Sequence, residues 1–119
     1  MKKTLVIGAK VQSVNFFYNA LQTLVKYKHE VHVLGLDAAI FEGLCLHKID
    51  EYIPDLDTVS LYLNASEQKK YYTYIEALKP KRVIFNPGAE NYDFKNRLVA
   101  KGIVVEEACT LFLLYTNKY

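Results

Sequence analysis

The run Arg82-Val83-Ile84-Phe85-Asn86 is apolar, β-branched and aromatic through its middle, and it stops abruptly at Pro87-Gly88. Thr4-Leu5-Val6-Ile7 is built the same way and breaks at Gly8-Ala9-Lys10. Neither run alternates polar with apolar residues, so neither suits a strand with one wet face. Continuous apolar strands belong to parallel sheets covered on both sides. Parallel neighbours need long crossover connections, usually helical. This one feature confines the chain to α/β architectures.

Composition agrees with that limit. The chain has 119 residues, enough for a single domain over 1–119, and its hydrophobic fraction of 51% can fill a core. Mean hydropathy is -0.01, and no apolar run approaches the roughly 18 residues of a spanning helix. Met1-Lys2-Lys3 is basic, but the apolar run behind it is short and breaks at Gly8, so it reads as a first strand and not a leader. Two cysteines, Cys45 and Cys109, without paired spacing indicate reduced thiols and a cytoplasmic protein. The formal charge of +2 comes from scattered lysines and arginines. That pattern argues against extended nucleic-acid binding and is compatible with a small anionic ligand.

Between the strands the period changes to helical. Phe17, Ala20, Leu21, Leu24 and Val25 share one face of a helix over 15–27, with Ser13 or Asn15 as its cap. Val31 to Leu34 is a second strand ending at Gly35, and Phe41 to Leu46 a short edge strand. Thr58 to Leu63 is the next strand. Asn64 with Glu67 then forms a capping-box pattern, opening one helix that runs to Pro80 with Tyr71, Tyr74, Ile75 and Leu78 inward. After the Arg82–Asn86 strand, Asn91 caps a helix with Phe94 and Leu98 inside, which stops at Gly102. Ile103-Val104-Val105 is the last strand, and Ala108 to Tyr115 the last helix. This order predicts a three-layer α/β fold, a mostly parallel sheet of five or six strands with helices on both faces and right-handed crossovers.

Four segments in this order resemble the CoA-binding domain family, particularly its small stand-alone bacterial members: Val6-Ile7-Gly8-Ala9; Glu42-Gly43 with Ile53-Pro54 and Asp57; Val83 to Gly88; and Gly102 to Val105 leading to Ala108-Cys109. The chain is similar in the same way to the amino-terminal domain of the succinyl-CoA synthetase α subunit. The resemblance implies a Rossmann-like fold that binds CoA or an acyl-CoA. It also shows departures. Lys10 and Asn15 stand where the family usually has a serine and an arginine, and Leu34-Gly35 replaces a common Asn-Pro.

On that basis the expected binding residues are Gly8, Ala9, Lys10, Ser13 and Asn15 at the first strand end, Gly35 and Leu36 at the second, and Asn86, Pro87 and Gly88 opposite. A glycine after a buried strand lets a phosphate approach the backbone, and a side chain placed at Gly8 is expected to block it. A single glycine is not the dinucleotide fingerprint. Pro87-Gly88 predicts a type II turn with exposed amides. Asp37 is an acid of the kind that binds a ribose hydroxyl in NAD sites. Cys109, among apolar neighbours, reads as a buried thiol. Cys45 and His47 share a strand face but lack further ligands at metal spacing, and His29 and His32 have no evident acidic partner.

No nucleophile is paired with a base, so no catalytic residue is expected. The expectation is a CoA or acyl-CoA binding protein, a non-enzymatic binding or regulatory module. An NAD(P)-dependent oxidoreductase-like domain and an interaction domain that has lost its ligand are the alternatives. A tyrosine-rich surface and the apolar segment ending at Tyr119 suggest a homodimer.

Overall fold

The computed structural model describes residues 1–8, 14–35 and 43–119, with only the backbone described for residues 14–16. Six strands form one sheet: β1 (Thr4–Ile7), β2 (Val31–Leu34), β3 (Leu44–His47), β4 (Thr58–Leu61), β5 (Arg82–Phe85) and β6 (Val104–Glu107). Their order is β3-β2-β1-β4-β5-β6, and every neighbouring pair is parallel. The sheet is thus wholly parallel, where the sequence predicted a mostly parallel one. β1 lies between β2 and β4, and from it the chain winds outward in two opposite directions.

Side chains alternate across β1. Leu5 and Ile7 join one apolar cluster with Val59, Leu61, Val83 and Phe85, covered by Ile75, Phe94 and Leu98. Val6 joins the other with Val31 and Val33, covered by Phe17, Leu21 and Leu24 from α1 (Val14–Lys26) and by Leu111 and Leu114. Leu5, Val6 and Ile7 have no exposed surface. Fully burying such a side chain contributes about 1.5–3 kcal/mol. That is why an unbroken apolar run is stable only in the middle of such a sheet.

The helix expected from Asn64 to Pro80 is interrupted. Asn64 accepts from the Glu67 amide at 2.9 Å and the Glu67 carboxylate takes the Asn64 amide at 3.0 Å, so the capping box forms as predicted. It opens only α2 (Ala65–Gln68), followed by a 3-10 turn (Lys69–Tyr71) and then α3 (Tyr72–Leu78). The break coincides with Gln68, which is fully buried. Its amide donates to the carbonyls of Leu63 at 2.8 Å and Ala89 at 2.7 Å and its oxygen accepts from Asn91 at 2.9 Å, so it is anchored between two loops. Tyr71, Tyr74, Ile75 and Leu78 still turn inward. α4 (Tyr92–Ala100) starts at the Asn91 cap, and α5 (Thr110–Tyr115) closes the second face against α1.

The expected lack of partners for His32 is corrected. Its Nε2 lies 2.6 Å from Glu30 Oε2 and its Nδ1 2.6 Å from His47 Nε2, while His47 Nδ1 lies 3.0 Å from Glu51 Oε2. Glu30 sits two residues before His32 on the same strand face, and the parallel register sets Leu34 beside His47. Sequence distance concealed the His32–His47 pairing, whereas Glu30 lay close enough in sequence to have been read as a partner. The hydrogen bond from His32, with Lys3 nearby, holds the Glu30 carboxyl below its ordinary range. His29 accepts a hydrogen bond from the Lys2 amide at 2.8 Å.

Tyr74 donates to the Glu51 carbonyl at 2.6 Å, and burial pushes its phenol up to about 12. The neutral phenol is therefore the form the fold prefers. Its contribution is intact below the unfolded value of about 10 and is lost as pH rises from there through about 12. Burial raises Tyr62 and Tyr119 as well. We expect the urea midpoint to fall above about pH 10. Tyr74→Phe should make that fall shallower, and an unchanged slope in the variant would count against this account.

Candidate functional site

Open parallel sheets bind ligands beyond the carboxyl ends of their strands, where the winding reverses. Here that point lies between β1 and β4. A cavity of about 610 Å³ opens there, lined by Gly8, Gly35, Leu63, Ser66, Glu67, Lys69, Lys70 and Tyr71. Its size is ordinary for a small-molecule site. Gly8 and Gly35 form the strand-end wall, and the α2 segment with its 3-10 turn forms the opposite wall.

Of the expected residues, this cavity contains Gly8 and Gly35. Ala9, Lys10, Ser13, Leu36 and Asp37 lie outside the described residues, as does the Asn15 side chain. Asn86, Pro87 and Gly88 stand at the end of β5, and none of them lines the cavity.

Each glycine has a packing role. The Gly8 amide donates to the Leu34 carbonyl at 3.2 Å, and a Cβ at Gly8 would stand 2.6 Å from the Phe17 ring. A side chain here would therefore disturb the α1 core as well as any ligand. Gly35 has φ +107°, and a Cβ on it would lie only 1.9 Å from the Gly8 carbonyl oxygen. Neighbouring strand ends approach this closely only because Gly35 has no side chain.

Asn86 is buried and fully engaged. Its Nδ2 donates to Ser60 Oγ and the Leu61 carbonyl, both at 2.9 Å, and its Oδ1 accepts from the Thr110 amide at 2.8 Å. Ser60 and Thr110 hydroxyls meet at 2.7 Å. The side chain joins β4, β5 and α5. Pro87-Gly88 makes the expected turn, with Ala89 N–H bonded to the Asn86 carbonyl at 2.8 Å and Gly88 at φ +91°. The Gly88 amide is occupied, donating to Glu90 Oε1 at 2.9 Å.

The sequence reading missed Leu63, Ser66, Glu67, Lys69, Lys70 and Tyr71 as site residues, because it ended a strand at Leu63 and ran one helix through the others. Ser66 donates to Asn64 Oδ1 at 3.0 Å, and Lys70 lies over the Tyr71 ring at 5.2 Å. Both lysines are exposed. Among the described residues neither has a carboxylate within ion-pair distance. Their place just after the strand that follows the reversal was the available signal. Cys109 is half-buried against the α1–α5 cluster.

The sequence matches the CoA binding domain family over residues 2–115. The chain belongs to that family. An uncharacterized protein of known crystal structure is 37% identical, with TM-score 0.91, covering 100% of this chain and 98% of its own. A Thermus thermophilus protein shares 20% identity with TM-score 0.77, covering 99% and 91%. A hypothetical protein from Pyrococcus horikoshii OT3 shares 16% identity with TM-score 0.76, covering 94% and 81%. These two likenesses concern the fold alone. No protein of curated function matches the sequence. No helix among the described residues is long and apolar enough to cross a membrane.

Two stability measurements separate packing roles from ligand roles. Gly35→Ala combines backbone strain with a collision against the Gly8 carbonyl, whereas Gly88→Ala, with open space around it, meets strain alone. We expect a loss of about 1 kcal/mol at Gly88 and at least ~3 kcal/mol at Gly35 in urea unfolding. Equal losses would contradict the close approach. Asn86→Ala leaves buried partners unsatisfied and should cost about 2–4 kcal/mol. A variant as stable as the parent would return Asn86 to a ligand role.

Proposed function

We propose that this chain binds CoA or an acyl-CoA at the carboxyl edge of β1, β2 and β4, as a binding or regulatory module and not as an enzyme. The observation that carries this reading is the 610 Å³ cavity at the reversal point, with Lys69 and Lys70 on its wall, in a chain of the CoA binding domain family. Phosphates are anionic at neutral pH, and an exposed ammonium group pairs with them as a mobile point charge. Gly8 and Gly35 supply a strand-end wall without side chains, and Ala9, Lys10, Ser13, Asn15 and Leu36 are kept as further binding residues in this proposal. The commitments of Asn86 and of the Gly88 amide give the Asn86–Gly88 turn a supporting part, holding the scaffold around the ligand.

Among the described residues the site has no nucleophile–base pair, which suits recognition rather than turnover. The described part of the cavity has Glu67 as its one carboxylate, and that group is engaged in the Asn64 cap.

The test is a thermal-shift panel of CoA, acetyl-CoA, NAD, NADP and ATP. Ligand at about 100 times its dissociation constant adds about 2.7 kcal/mol, a melting shift on the order of 10 °C for a domain of this size. CoA or acetyl-CoA should give that shift and NAD should not. The Lys69→Ala/Lys70→Ala pair should weaken CoA about ten-fold without lowering the ligand-free melting temperature. A shift with NAD alone favours the oxidoreductase-like reading. Silence across the panel at millimolar concentrations favours a scaffold without a ligand.

A further inference from the structure

Four side chains form an unbroken polar row at the β3 edge of the sheet. Glu30 Oε2 lies 2.6 Å from His32 Nε2, His32 Nδ1 lies 2.6 Å from His47 Nε2, and His47 Nδ1 lies 3.0 Å from Glu51 Oε2. The register of β2 and β3 brings the two rings together, since it sets His32 beside Cys45 and Leu34 beside His47. The His32 and His47 side chains are 10% and 16% exposed, which leaves little room for water to stand in for a lost partner.

These contacts fix a number of protons. An ionised carboxylate can only accept, so His32 Nε2 and His47 Nδ1 must each carry a hydrogen. The contact between the rings needs one hydrogen and has no room for a second. Three protons therefore serve the four ring nitrogens, so one ring is a neutral imidazole and the other an imidazolium. With two protons, a bare lone pair would face a carboxylate. With four, two N–H groups would meet head-on at 2.6 Å between two cations. The hydrogen bond from His32, with Lys3 3.5 Å away, holds the Glu30 carboxyl below its ordinary range. The Lys48 amide at 3.0 Å, with His47, does the same for Glu51. Lys3 also donates to the Pro54 carbonyl at 2.6 Å, and the Lys48 side chain is exposed. The other titratable groups on the neighbouring elements are Asp50, the exposed Cys45 thiol and the Tyr74 phenol. Among the described residues the ring nitrogens bond only to Glu30, to each other and to Glu51.

We propose that this row is a proton-operated clasp on the sheet edge: it closes with one positive charge shared by His32 and His47, and a second proton opens it. Closed, it ties Glu30 and β2 to the end of β3 and to the β3–β4 connection, which Tyr74 of α3 holds through the Glu51 carbonyl. β3 pairs with β2 alone, so it leans on side-chain ties more than an inner strand does. Opened, the clasp sets two cations against each other, and β3 with its connection is the part that loosens. The closed row binds fewer protons than the two histidines of an unfolded chain below about pH 6.5 and more above it. Its contribution to stability therefore peaks near that pH and falls in both directions. The clasp does not depend on the CoA reading.

Nitrogen-15 spectra of the imidazole rings count these protons directly. His29, whose ring accepts from the Lys2 amide, lies outside the row and serves as the internal reference. At about pH 6.5 the parent should show three protonated nitrogens over His32 and His47 together, and the two rings should titrate in two coupled steps. In His47→Gln the remaining ring should titrate in a single step. Amide exchange, corrected for its intrinsic pH dependence, reads the opening. Between about pH 6.5 and pH 5, β3 amides of the parent should lose protection on the order of ten-fold relative to β1, and His47→Gln should lack that change. Two rings that titrate independently overturn the clasp, and so does β3 protection that is the same at both pH values. Should His47→Gln fail to fold, the spectra and exchange of the parent decide alone.

Discussion

The hydrogen-bond ladder of β1 to β2 on one side and to β4 on the other is the constraint from which the rest follows. All four β1 residues are buried, and their registers run in step with Val31–Leu34 and Thr58–Leu61. A strand paired on both edges and covered on both faces has no surface for chemistry along its length. Functional groups are left with the strand ends. Because all the strands are parallel, the carboxyl ends gather on one edge, and the cavity lies at that edge.

The edge is held together by side chains that could be mistaken for a binding site. Asn86 ties β4, β5 and α5 together, and Gln68 ties the loop after β4 to the turn after β5. Asn91 joins the second junction through Gln68 and through the Tyr72 hydroxyl at 2.7 Å. Each of these amides is buried with its donors and acceptor matched to fixed partners. A buried amide deprived of a partner costs more than its hydrogen bond gains, so such groups cannot also reach out to a ligand that comes and goes. Groups outside this bracing, such as the exposed Lys69 and Lys70 on the cavity wall, keep their side chains free to move.

The strands were legible because burial on both faces leaves an unmistakable mark in the sequence. Leu5-Val6-Ile7 and Val83-Ile84-Phe85 contain no polar residue, whereas β2 carries His32 and β4 carries Thr58 and Ser60, all three buried. The caps at Asn64 and Asn91 were legible for the same local reason: the partner lies three residues away. The 3-10 break after Gln68 was not. It arises from hydrogen bonds to Leu63 and Ala89, and the second of these is 21 residues distant. The same limit hid the His32–His47 pairing, which depends on the register of two parallel strands and joins residues 15 apart in sequence. Gly8 and Gly35 were read as places for a ligand, and Phe17 and the Gly8 carbonyl give each of them a packing reason that the sequence did not show. Long-range contacts decide which residues at a strand end remain available, and single-residue patterns carry no record of them.

The distribution of charge points to the same edge. Four cations elsewhere are paired with carboxylates: Arg82 with Glu106 at 3.2 Å, Arg97 with Glu76 at 2.8 Å, Lys95 with Glu107 at 3.3 Å and Lys3 with Glu30 at 3.5 Å. Two of these pairs involve a carboxylate on β6, and a third joins α4 to α3, so their effect is to fasten outer elements to the sheet. An exposed pair such as Lys95–Glu107 contributes little individually, but each pair does cancel the local field. At the mouth of the cavity the described carboxylate, Glu67, is turned to the Asn64 cap, and Lys69 and Lys70 meet no carboxylate among the described residues. The net charge of +2 is a sum over the whole chain and does not report the potential at that mouth. For a small anion, the field there matters more than the total charge of the chain, because screening confines its influence to about 8–10 Å in physiological salt.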